Sequence, residues 1–169
     1  MRPRGRALAV ALAAIAVAAF AVPAVGAETG DVARARGVQL TLPSGWSKVV
    51  PAHPTRLEDP RTMLVIGTDG VRAVESDCQV ASYRVPADGA AVVVVGWRDS
   101  VGGVSYLPMS AMKLRRGTFE CFTGRGAVGR LTLRDRDYQV NVMVGDRAGA
   151  DTIADAMDAA RSLGVAPRA

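Results

Sequence analysis

Two cysteines, a glycine-rich hexapeptide and a lone histidine are the residues of this chain whose types come closest to chemistry. A redox-active cysteine pair commonly sits as C-x-x-C, where the local surroundings lower one thiol's pKa. Cys78 and Cys121 lie far apart instead. In an oxidising compartment two is the number for one bridge, so the expectation is a structural Cys78–Cys121 disulfide. A redox pair and two buried thiols are the alternatives. A bridge closing so long a loop would stabilise the fold by on the order of 4 kcal/mol in the chain-entropy description.

Gly124-Arg125-Gly126-Ala127-Val128-Gly129 fits G-x-G-x-x-G. In dinucleotide sites such glycines let a pyrophosphate approach the N-terminus of a following helix. Here residues 130–134 alternate as a strand does, so a glycine-rich turn or bulge between strands is the reading. His53 lies in a proline-rich stretch without a partner acid, and no G-x-S-x-G elbow is present. Ser44, Ser47 and Ser76 have no special setting. Glu58, Asp59, Asp69, Glu75 and Asp77 form a loose acidic region beside turn-forming residues. They lack the spacing of a calcium loop, and a glycosidase pair among them is the weaker reading against solvated loop acids. Trp46, Tyr83, Trp97, Tyr106 and Tyr138 are read as core aromatics, with an aromatic ligand groove as the alternative. No catalytic residue, cofactor or metal ligand is assigned.

The elements that must position these residues read mainly as strands. Val38, Leu40 and Leu42 alternate with polar residues, and Pro43-Ser44-Gly45 then turns the chain before Trp46. Residues 63–67 form a short apolar run closed by Asp69-Gly70. Residues 71–85 stay ambiguous between helical turns and a poor strand. After Asp88-Gly89, the β-branched run 90–97 has the pattern of a central strand covered on both faces. Residues 118–123 read as a strand with Phe119 and Cys121 on one face. Residues 130–134 and 138–144 alternate as an antiparallel hairpin turning at Asp135-Arg136. Its polar face (Arg130, Thr132, Arg134, Gln139, Asn141) is a candidate partner surface. Near the end, Ile153, Met157, Ala160 and Leu163 form one helical stripe, with Asp151 expected as N-cap and Gly164 as the terminating residue. An amphipathic helix beside several antiparallel strands gives an α+β domain, a mainly antiparallel sheet covered by a C-terminal helix with little other helix.

The N-terminus points to a compartment. Arg2, Arg4 and Arg6 precede an unbroken apolar run at 7–22, followed by Val25-Gly26-Ala27. That is the order of a secretory signal peptide cleaved after Ala27. An uncleaved anchor is the alternative, although the run is shorter than the roughly 20 residues that span a bilayer. The expected organisation is a signal peptide at 1–27, a flexible lead-in at 28–36 and one α+β domain at 37–169. The formal charge of +5 loses the three leader arginines on cleavage, leaving a nearly balanced chain. Arginines alternate with acids, as in Arg134-Asp135-Arg136-Asp137, which argues against a nucleic-acid footprint. No stable membrane span is expected after cleavage.

Two end motifs resemble the PsbP-like fold and small exported bacterial domains of that architecture. They are Gly37-Val38-Gln39-Leu40-Thr41-Leu42-Pro43-Ser44-Gly45-Trp46, like an opening strand with its turn, and Ser162-Leu163-Gly164-Val165 after the closing helix. The resemblance implies an antiparallel sheet flanked by helices and carries over no functional residue. The expectation for function is a secreted or envelope-associated bacterial binding domain without enzymatic activity, its partner an envelope or extracellular protein or other envelope component. A small-molecule or lipid carrier and an envelope enzyme of unrecognised type are the alternatives.

Overall fold

The structure, a computed structural model, describes residues 30–51, 59–76, 83–98, 108–119 and 122–167. The strands in chain order are β1 (Val32–Ala35), β2 (Val38–Thr41), β3 (Ser47–Lys48), β4 (Arg61–Gly67), β5 (Arg72–Ala73), β6 (Tyr83–Arg84), β7 (Ala90–Gly96), β8 (Arg115–Phe119), β9 (Phe122–Leu133), β10 (Arg136–Val144) and β11 (Gly164–Val165). Among the described residues there is one α-helix, α1 (Ala150–Arg161), which precedes β11, and one 3-10 turn at Met109–Ala111. The fold is therefore α+β and mainly antiparallel.

The main sheet has six strands in the order β3-β4-β7-β10-β9-β8, every pair antiparallel. The β-branched run forms β7, which is buried along its whole length, as a centrally placed apolar strand must be. A smaller sheet, β1-β2-β11, and α1 cover one face of the main sheet. The helix contributes Ala156, Met157, Ala159 and Ala160, with Leu163 just beyond its end. They pack into one core with Val38, Leu40, Leu64, Ile66, Val92, Val94, Val140 and Val142. The alanines on the helix's inner face let its backbone come close to the β-branched side chains of β7. Asp155, Asp158 and Arg161 face water, as the helical stripe requires.

Several local expectations need correction. Part of the expected lead-in is ordered: β1 lies within it, pairs with β2 and buries Ala33. Charge and shortness hid a strand whose stability comes from its partner. Residues 118–119 and 122–123 do not belong to one strand: Thr118 pairs with Thr123 and Phe119 with Phe122, so they lie on the antiparallel strands β8 and β9. The G-x-G-x-x-G run is neither turn nor bulge but the interior of β9. Its glycines leave room for neighbours: a Cβ on Gly126 would lie 2.6 Å from the Val142 carbonyl oxygen, and one on Gly129 2.5 Å from Met109 Sδ. The β9–β10 turn is Arg134-Asp135, one position earlier than expected, because Leu133 pairs with Arg136.

At the helix, Gly149 rather than Asp151 takes the N-cap position, and no side chain caps it. Asp151 sits in the first turn, where its charge favours the helix dipole. Gly164 does not end the helix in a left-handed conformation; it opens β11, opposite Gln39. The helix ends instead at Ser162, whose hydroxyl donates to the Ala159 carbonyl at 2.7 Å and accepts from the Thr41 N–H at 2.7 Å. One side chain thus ties the helix end to β2. Among the described residues, no helix is long and apolar enough to cross a membrane.

Candidate functional site

Two hairpin turns border a single cleft of about 400 Å³. The first, Arg36-Gly37, joins β1 to β2, with φ of 48° and 83°. The second, Arg134-Asp135, joins β9 to β10, with φ of 48° and 62°. Positive φ at both central residues defines the type I′ turn that the twist of a two-residue hairpin favours. Glycine, asparagine and aspartate suit its first central position. An arginine held left-handed there costs roughly 1–2 kcal/mol. Both turns nevertheless place an arginine at that position, and both arginines line the cleft.

Arg136, the first residue of β10, is a third arginine of the lining. Leu133, Tyr138, Val165 and Pro167 make the apolar part of the wall. Arg36 is held in place: its Nη1 donates to the Thr62 carbonyl at 2.8 Å, beside the register shift between Thr62 and Leu64 in β4. Among the described residues, neither Arg134 nor Arg136 has a carboxylate partner. Among the described residues, no acid is part of the lining. The cleft therefore concentrates positive charge that none of its described lining residues neutralises, a setting that draws anions.

Guanidinium groups donate hydrogen bonds and stay protonated, so they bind and neutralise anions but move no protons near neutral pH. Among the described lining residues the one other with an ionisable side chain is Tyr138, which is largely buried in the core. The arrangement suits recognition of an anion more than acid–base catalysis.

The other face of the main sheet corrects the expected partner surface. Gln139 and Asn141 are 1% and 2% exposed, so the β10 part of the hairpin's polar face is interior, whereas Arg130 is half-buried and Thr132 and Arg134 are exposed. Arg130 Nε donates to Gln139 Oε1 at 2.8 Å, and Gln139 Nε2 donates to Asn141 Oδ1 at 3.0 Å. Thr132 Oγ1 donates to Asp137 Oδ1 at 2.6 Å. This ladder lies beside a second apolar cluster of Val65, Tyr83, Val93, Val95 and Met143. The Nδ2 atom of Asn141 is buried and has no hydrogen-bond partner among the described residues. Of the expected surface, Arg134 alone joins the cleft.

The remaining sequence candidates do not converge on a site. Cys78, Cys121, His53, Glu58, Asp77 and Tyr106 lie outside the described residues. Asp69 and Glu75 are exposed. Asp59 is exposed too, and its Oδ1 accepts the Arg98 N–H at 3.1 Å, linking the approach to β4 with the exit of β7. Trp46 and Tyr138 are buried in the main core and Tyr83 in the second cluster, while Trp97 is half-buried against that cluster. No group of three or more metal-ligating side chains occurs among the described residues. Arg36 and Arg136 escaped sequence reasoning. The available signal was Arg-Gly followed by the alternation of β2, which marks a hairpin turn but says nothing of what lies beside it. Comparison with family models and with curated proteins finds no match.

Proposed function

We propose that this chain is an exported, non-enzymatic binding domain that engages an anionic envelope or extracellular component through the cleft of Arg36, Arg134 and Arg136. The observation that carries the reading is the presence of three arginines around one cleft with no acid among its described lining residues. The order of charge, apolar run and small residues at the N-terminus supports export, with a mature chain beginning at Glu28. A Cys78–Cys121 bridge belongs to the same reading, since export delivers both thiols to an oxidising space. The likeness of the two end motifs to PsbP-like domains is offered as kinship of fold and assigns no residue a role.

Retention on the host's own envelope fraction tests the binding role. Asparagine suits a left-handed turn position, so R36N/R134N/R136Q removes the charge and spares the turns. The expected result is retention weakened about tenfold or more, because hydrogen bonds to charged groups are being removed. Equal retention of the native and substituted proteins, with unchanged melting temperatures, would overturn the role of the cleft. N-terminal sequencing and thiol alkylation of the secreted protein test export and the bridge. A start at Glu28 and two alkylation-resistant cysteines are expected; Met1 on a membrane-bound product, or two reactive thiols, would refute these points separately.

A further inference from the structure

We infer that the ligand group recognised in the cleft is a phosphate ester: an oxyanion clamped by Arg36, Arg134 and Arg136, with its organic body against Leu133, Tyr138 and Pro167. The inference rests on the cleft being the recognition surface proposed above, and it adds the chemical class of the ligand.

Charge comes first. Three arginines line the cleft, and among the described lining residues no acid offsets them. A carboxylate brings one negative charge, whereas a phosphate monoester carries about −1.5 to −2 at neutral pH and three strong acceptor oxygens. Three separate guanidiniums match three oxygens better than two. Each guanidinium is also a planar fork suited to paired bonds with an oxyanion.

Geometry comes second. Arg36 is already anchored by its bond to the Thr62 carbonyl, so less side-chain freedom is lost when an anion arrives. Arg134 and Arg136 flank Asp135 at the end of one rigid hairpin and have no competing carboxylate among the described residues. The turn stereochemistry is independent of charge. Arginine occupies the left-handed first position of two unrelated hairpins, and the two positions meet at one place.

Size comes third. A volume of about 400 Å³ exceeds what a lone phosphate fills and lies in the range of small-molecule sites. The apolar wall provides a surface for carbon, which inorganic phosphate lacks.

The same chemistry is available from a soluble phosphate ester or from a phosphate headgroup in a membrane. The test uses the mature chain (28–169), isotopically labelled, at about 0.1 M salt, where screening leaves close contacts intact. Phenyl phosphate, inorganic phosphate and benzoate are titrated while the amides of Gly37, Tyr138 and Ala166 are followed by NMR. Phenyl phosphate is expected to shift these amides and to bind about tenfold tighter than either other probe, with R136Q weakening it by about the same factor. Equal binding of benzoate would overturn the phosphate assignment, as would cleft amides unmoved by phenyl phosphate.

Co-sedimentation with phosphatidylcholine vesicles, with and without phosphatidic acid, separates the sources. Binding only to vesicles with phosphatidic acid supports a headgroup; phenyl phosphate binding without vesicle binding supports a soluble ester. The two proposals fail differently. If R36N/R134N/R136Q loses envelope retention while phenyl phosphate moves nothing, the ligand class falls and the binding role stands. If retention survives those substitutions while phenyl phosphate shifts the cleft, the envelope role falls and the phosphate site stands.

Discussion

The two faces of the six-stranded sheet are both largely covered around its centre, but by different chemistry. Toward α1, β10 presents Tyr138, Val140, Val142 and Val144, and the core they join is apolar. On the opposite face the same strand presents Asp137, Gln139, Asn141 and Met143. All eight residues are buried. The first face is held by close apolar packing, which is non-directional and grows with buried area. The second adds a polar ladder to a smaller apolar cluster. Hydrogen bonds there contribute little net stability while intact, but leaving a buried partner unmatched is expensive. Polarity along a strand therefore reports which residues share a face, not whether that face meets water.

Substitutions on the two faces can sharpen this contrast or break it. The largest losses are expected on the helix-covered face. Leu64→Ala and Leu163→Ala should each lower unfolding stability by roughly 2–5 kcal/mol in denaturant melts, the range for a buried leucine. A small effect of Leu163→Ala beside a large one of Leu64→Ala would mean that the helix end is not firmly docked. On the polar face, Gln139→Leu leaves the Asn141 carbonyl oxygen without the Gln139 donor and removes the acceptor of Arg130 Nε. A loss of about 1–3 kcal/mol is expected, from desolvated groups left without these partners. No loss would show that water reaches the ladder and that the two faces differ in access as well as chemistry. The smallest effect belongs to the helix's outer side. Asp158 pairs with Arg161 at 3.2 Å in the open. Asp158→Ala should change stability by less than about 0.5 kcal/mol, as exposed pairs do.

Much of the scaffold was legible because it is written in local period. The run in β7, the alternation in β10 and the stripe through Ile153, Met157 and Ala160 each encode an element and a face within about a dozen residues. Turn residues were legible for the same reason: Asp69-Gly70 and Asp88-Gly89 turn where their types require, Val71 N–H bonding the Thr68 carbonyl and Gly89 N–H the Pro86 carbonyl. Elements that owe their state to a partner were harder to read. Strand β1 has little pattern of its own and exists against β2. Gly164 looks like a helix stop, yet β2 recruits it into a strand. The glycines of β9 resemble a phosphate loop because spacing cannot show that Gly126 makes room for a carbonyl oxygen and Gly129 for a methionine sulfur.

The candidate site divides in the same way. The sequence by itself determined the β9–β10 hairpin that carries Arg134 and Arg136, to within one position of its turn, since alternation broken by a short polar pair specifies a hairpin; it did not determine the turn carrying Arg36, because β1 forms only against β2. It also determined the helix whose apolar stripe covers the sheet. Only the tertiary structure decided that the turn holding Arg36 lies beside the turn holding Arg134, with Arg136 next to both. It alone decided that Gln139 and Asn141 lie inside. The physical reason is range: backbone preference and side-chain period act over a few residues, whereas burial and the meeting of distant turns depend on how whole layers stack.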